Sequence, residues 1–115
     1  MNAYAVGLLH DIDQNDEILD YLRRIQATLD PYAGRFLVHG ATPEVLEGSF
    51  GRVMVLIGFP DVGSARAWYA SSAYQDLLPL RTRNARSVVF LLDGCGPDHS
   101  SAELADALEA VRVTR

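Results

Sequence analysis

The side chains able to move a proton or hold an anion are few in this chain. It has three histidines (His10, His39, His99), five tyrosines, one cysteine and no lysine, so its ten basic residues are all arginines. Without lysine there is no Schiff-base chemistry and no Walker-type phosphate loop. A lone Cys95 forms neither an internal disulfide nor a Cys-x-x-Cys zinc or redox site. Histidine, tyrosine, carboxylate and arginine remain, which is equipment for proton transfer and anion binding.

Two groups of candidates follow from position. Trp68, Tyr69 and Tyr74 lie close together and offer indole and phenol donors to a pocket. They would equally serve to pack a helix on a sheet. Arg81, just after Pro79-Leu80, could clamp a carboxylate bidentately, or cap helix carbonyls, or pair with an acid such as Glu47. His39 and Glu47 flank the connection between two strands. As a pair they would make a general base with an orienting carboxylate; a solvated edge histidine is the plainer alternative. Arg35 is a second candidate anchor. The expected site is therefore His39, Tyr69 and Tyr74 as proton donors or acceptors, with Arg35, Glu47, Trp68 and Arg81 holding the ligand. The histidine spacing supports no metal site, and no cofactor is implied. His10 and Asp11, as strand neighbours, should point oppositely and not pair. His99 in a polar loop and Cys95, with no base beside it, read as bystanders.

The elements that must position these groups are legible from pattern. Residues 3–11, 35–40, 52–59 and 87–93 read as strands, and Glu44 to Glu47 as a short extended piece. In the first, Tyr4, Val6, Leu8 and His10 share one face, and Ala5, Gly7 and Leu9 the other. In the second, Phe36 and Val38 point one way and Arg35, Leu37 and His39 the other. The third, apolar on both faces, should be central and covered on both sides. A helix should start at Asp13 or Asn15 and bury Ile18, Leu22, Ile25 and Leu29, stopping at Asp30-Pro31. Asp61 should cap a helix over about 62–70, with Val62, Ala65 and Tyr69 on one side. Ser71 or Ser72 should cap a second short helix, which Pro79 interrupts or ends. Ser100 with Glu103 forms a capping-box pattern before a last amphipathic helix carrying Leu104, Leu108 and Val111.

The order β-α-β-β-α-β is the ferredoxin-like plan, an α+β sandwich with a four-stranded antiparallel sheet. Residues 1–94 form that unit, and 95–115 an extension with one helix. The plan leaves one sheet face without helices. Here that face would carry Val6, Leu8, Leu37, Met54, Leu56, Val88, Phe90 and Leu92, a patch too large for a monomer to leave bare. A homodimer with sheets face to face is expected; the alternative is the last helix folding back over the patch. The net charge of −5 argues against nucleic acid and anionic membrane surfaces as partners. No apolar run reaches the length of a membrane span. The start Met1-Asn2-Ala3-Tyr4 has no signal-peptide pattern, so a cytoplasmic location is expected.

The run Phe59-Pro60-Asp61, then Ala65-Arg66-Ala67-Trp68-Tyr69-Ala70-Ser71-Ser72-Ala73-Tyr74-Gln75-Asp76-Leu77, then Pro79-Leu80-Arg81, resembles the domain-of-unknown-function 1330 family. Gly34 to Gly40 and Val45-Leu46-Glu47-Gly48 agree more weakly. The resemblance covers roughly residues 3–93 and implies a ferredoxin-like protomer within a dimeric α+β barrel. It implies no reaction. The wider superfamily includes cofactor-independent monooxygenases and isomerases, which is analogy of fold. The expected function is cofactor-independent proton-transfer chemistry, isomerase- or monooxygenase-like, on a small organic metabolite. The alternative is a non-catalytic binding or structural dimer.

Overall fold

The computed structural model describes residues 1–113. Its elements are β1 (Ala3–His10), α1 (Asp16–Leu29), β2 (Arg35–His39), β3 (Val53–Phe59), α2 (Val62–Ala70), α3 (Ser72–Thr82), β4 (Arg86–Asp93) and α4 (Ser101–Val113). The sheet is antiparallel throughout, in the order β2-β3-β1-β4. This is the ferredoxin-like α+β plan, with the second helix broken into α2 and α3.

The caps explain where the helices begin. The Asn15 side chain accepts from the Ile18 amide at 3.2 Å. Asp61 accepts from the Ser64 amide at 2.7 Å, a bond that holds its carboxyl below the usual carboxylate range. Ser71 ends α2 with an extended backbone (ψ 145°) and caps α3 by accepting from the Tyr74 amide at 3.3 Å. Such caps satisfy amide donors that the first helical turn leaves free.

One sheet face carries the core. Ala3, Ala5, Gly7 and Leu9 of β1 pair with Phe59, Ile57, Val55 and Val53 of β3, and the helices cover this side. Ala3, Leu29 and Phe59 are fully buried, with Trp68, Tyr74 and Leu77 beside them. The other face has no helix on it. It presents Val88, Phe90 and Leu92 from β4, each more than a third exposed, with Leu37. Strand β3 is central, but in one chain only its helix side is covered.

Four local expectations are corrected. Between Phe36 and Val38 the register of β2 against β3 shifts. The bulge inserts an extra residue, so Phe36 and His39 face the helices together, while Arg35 and Val38 stand opposite residues of the open face. Pro79 lies inside α3 rather than ending it; one backbone bond is forgone while buried Leu77 and Arg81 hold the turns on either side. Asp11 takes a left-handed backbone (φ 51°), which turns its carboxylate back to 3.8 Å from His10 Nε2, so these two do meet. Glu44–Glu47 is not extended structure but part of an exposed irregular loop.

Helix α4 is exposed at every residue from 101 to 112, with Leu104, Leu108 and Val111 uncovered. In this chain it does not fold back over the open sheet face. The expected extension runs to 115, and its last two residues lie outside the described ones. Among the described residues no helix is long and apolar enough to cross a membrane.

Candidate functional site

A cavity of about 400 Å³ opens between α1 and the sheet, at the end where β1 finishes and β3 begins. Leu9, Ile18, Ile25, Phe36, Val53 and Val55 make most of its wall. Its polar members are Gln14, Tyr21, His39 and Arg81. A smaller hollow of about 40 Å³ continues beneath it, beside Gly7, Trp68, Tyr74 and Arg81. Gly7 and Ala5 contribute to this space because they carry little or no side chain where a helix passes over.

The floor is built by α1 and α3. Tyr21 and Tyr74 share a hydrogen bond of 2.8 Å between their hydroxyls and meet edge to face. Burial, reinforced by Tyr74, pushes the Tyr21 phenol well above the usual tyrosine range, so it stays neutral. Arg81 is 6% exposed. It donates to the Ser87 hydroxyl and lies 6.0 Å from the Tyr21 ring. Burial works against its charge, but Tyr74 and Tyr21 more than offset that. Among the described residues no carboxylate pairs with it. Trp68 donates to Thr28 Oγ1 at 3.0 Å and packs on Tyr74 with ring centroids 4.2 Å apart.

His39 stands at the mouth, exposed on one side and stacked on Phe36 on the other, with centroids 3.9 Å apart and rings 2° from parallel. Its partial burial lowers its pKa, which favours the neutral, proton-accepting ring. The start of α1 is locked to the end of α3 by a polar network. Glu17 accepts from Arg83 and, at 3.1 Å, from the Asn84 amide, and Asn84 accepts from Asn15 at 2.6 Å. The Arg83 and Asn84 bonds hold the Glu17 carboxyl below its usual range. This clamp sets Tyr21 against Tyr74 and Arg81.

The expected residues divide accordingly. His39 and Arg81 line the main cavity, and Tyr74 and Trp68 lie beneath it. Tyr69 is half-buried against Trp68 and Tyr74 rather than in the cavity. Arg35 is exposed and pairs with Gly58, on the open-face side. Glu47 is exposed in the loop, and no hydrogen bond or ion pair joins it to His39 or Arg81 among the described residues. Tyr21 was not among the expected residues. Its signal was its position three after Ile18 and four before Ile25; the helix buries Ile18, Tyr21 and Ile25 and leaves Leu22 at the cavity mouth, 44% exposed. His99, just before α4, pairs with Glu103 in that helix's first turn at 3.2 Å. No group of three His, Cys, Asp or Glu side chains among the described residues could hold a metal ion.

The family described as Domain of unknown function (DUF1330) matches residues 2–95. No curated protein matches the sequence. Several solved structures share the fold. A protein of unknown function from Rhodopseudomonas palustris is 15% identical, with a TM-score of 0.60 over 83% of each chain. SnoaB, a cofactor-independent oxygenase from Streptomyces nogalater, is 12% identical, with a TM-score of 0.58 over 87% of this chain and 100% of that one. A dimeric ferredoxin-like protein of unknown function from Jannaschia sp. CCS1 is 17% identical, with a TM-score of 0.54 over 81% of this chain and 99% of that one. At such identities the likeness is one of fold.

Proposed function

The chain belongs to the DUF1330 family, and on that premise we propose that it is a homodimeric, cofactor-independent enzyme. Its reaction is proton transfer on a small, largely apolar organic molecule bound between α1 and the sheet. The observation that carries the reading is one enclosure holding a proton acceptor (His39), a neutral phenol donor (Tyr21) and a buried cation (Arg81) among apolar walls. Neutral His39 takes a proton from an activated carbon. Arg81 anchors the polar end of the molecule, and the Tyr21–Tyr74 pair supplies a donor that does not ionise. Returning the proton to another carbon completes an isomerisation; capture of the carbanion by dioxygen begins an oxygenation. The kinship of fold with a cofactor-independent oxygenase is consistent with the second outcome, although fold does not transfer chemistry. The site lies within a ferredoxin-like domain of residues 1–94, to which 95–115 is a C-terminal extension with one amphipathic helix.

Solvent-deuterium exchange into benzoylacetone and phenylpyruvate, followed by NMR, tests the chemistry. The protein should accelerate exchange in at least one of them, with a rate that rises as His39 loses its proton. His39→Gln should lose about a hundredfold or more, the scale of general-base catalysis. Equal rates in the two proteins, or none above buffer, would remove the proposal. The uncovered apolar face supports the dimer, for which sedimentation should give a species of twice 12.6 kDa; a 12.6 kDa species alone would contradict it. A second reading, a non-catalytic carrier with the same cavity, draws support from the stacking of His39 on Phe36, which holds the ring by packing rather than by a carboxylate.

A further inference from the structure

We infer that the molecule taken by this cavity bears a carboxylate, seated on Arg81, with an apolar body reaching toward Phe36 and Leu22. The inference rests on the reading of the cavity as a small-molecule site. The first support is a contrast among arginines. Arg24, Arg83 and Arg86 are exposed and meet Asp20, Glu17 and Asp11, whereas Arg23, Arg35, Arg52 and Arg66 meet no acid among the described residues but are exposed to water. Arg81 is the buried one, and among the described residues it meets none. Its neighbours are the Ser87 hydroxyl and the Tyr74 and Tyr21 phenols, whose oxygens favour its charge but supply no carboxylate. A guanidinium is always charged, and burying it without counter-charge is costly. The end of α3 offers only the partial negative charge of its last carbonyls.

The lining then selects the anion. A guanidinium presents its donors in a planar fork that matches a carboxylate's two oxygens. A phosphate dianion would need a second cation or a cluster of backbone amides. The cavity lining holds one arginine, and its histidine has a lowered pKa. The volume of about 400 Å³ falls in the range of small-molecule sites, and the walls are aliphatic and aromatic. An aryl or branched-chain carboxylic acid fits this chemistry.

Titration calorimetry of the full chain with naphthylacetate and with its neutral isostere naphthylacetamide tests this without a variant. The carboxylate should bind about tenfold or more tightly, as expected for a charge-assisted pair among largely apolar walls. Arg81→Met should erase that preference, whereas Arg66→Gln, which removes an exposed positive charge on α2, should keep it. Equal affinity for acid and amide in the unaltered protein would overturn the inference, as would a preference that survives Arg81→Met. If Arg81→Met does not fold, the comparison in the unaltered protein still decides. A carboxylate preference without deuterium exchange would sink the catalytic reading and leave this one standing. Binding of neither compound would sink both.

Discussion

The helix-covered side of the sheet is filled at one end and hollow at the other, although the same strands build both. At the filled end Ala3 of β1 lies opposite Phe59, and Leu29, Trp68 and Leu77 close the layer. A Cβ placed on Gly34 there would come within 2.6 Å of the Phe59 ring. At the hollow end β1 offers Gly7 and Leu9, β3 offers Val55 and Val53, and α1 leaves Leu22 half uncovered. A Cβ on Gly7 would find its nearest neighbour, Leu9 Cδ1, at an ordinary 3.5 Å. Small residues on β1 therefore do two jobs. Where Phe59 lies across the strands from them they allow close packing, and where Val55 and Val53 lie across they leave room. The titratable groups with neutral or unpaired character (Tyr21, His39, Arg81) gather where the room is.

Stability should separate the two ends most sharply. Trp68→Ala should cost about 3–5 kcal/mol in urea unfolding, the range for truncating a buried aromatic, because it also leaves Thr28 without its indole donor. Leu22→Ala at the cavity mouth should cost less than about 1 kcal/mol, since little packing is lost where the side chain is already half in water. Comparable losses would erase the distinction. A smaller effect of the same kind comes from the glycines. Gly34→Ala should destabilise by about 1–3 kcal/mol through overpacking against Phe59. Gly7→Ala should be neutral or stabilise by up to about 1 kcal/mol, since it reduces unfolded-state freedom without a clash. Melting curves of the two variants side by side check this, and a destabilised Gly7→Ala would mean that the hollow is tighter than its geometry.

Much of this arrangement was legible in the sequence, and the exceptions have physical causes. The strands and caps were readable because period-two alternation and Asn15, Asp61 and Ser71 are local signals. So was the apolar face, which follows from alternation in β1, β3 and β4. The site was harder to read. His39 changed sides because a bulge at Leu37 broke the alternation, and nothing local in Arg35-Phe36-Leu37-Val38-His39 marks a bulge. Tyr21 was hidden by Leu22, since a stripe of Ile18, Leu22, Ile25 and Leu29 satisfies helical periodicity as well as the true stripe through Tyr21 does. Arg81 stood out by its place after Pro79-Leu80. That it would be buried without an acid depends on α1 and α3 meeting, which only the fold supplies. Glu47 failed to join His39 because the loop between β2 and β3 stays exposed instead of folding over the strand end.

The central claim is that the hollow end under α1 is where a small molecule binds. NMR spectra of the isotopically labelled protein during addition of naphthylacetate test it most directly. Resonances of Leu9, Tyr21, Leu22, His39 and Val53 should shift together and saturate together, while those of Ala3 and Leu77 at the filled end and Leu37 and Phe90 on the open face stay in place. Saturable shifts confined to the open face or to α4, with the hollow end unmoved, would contradict the account.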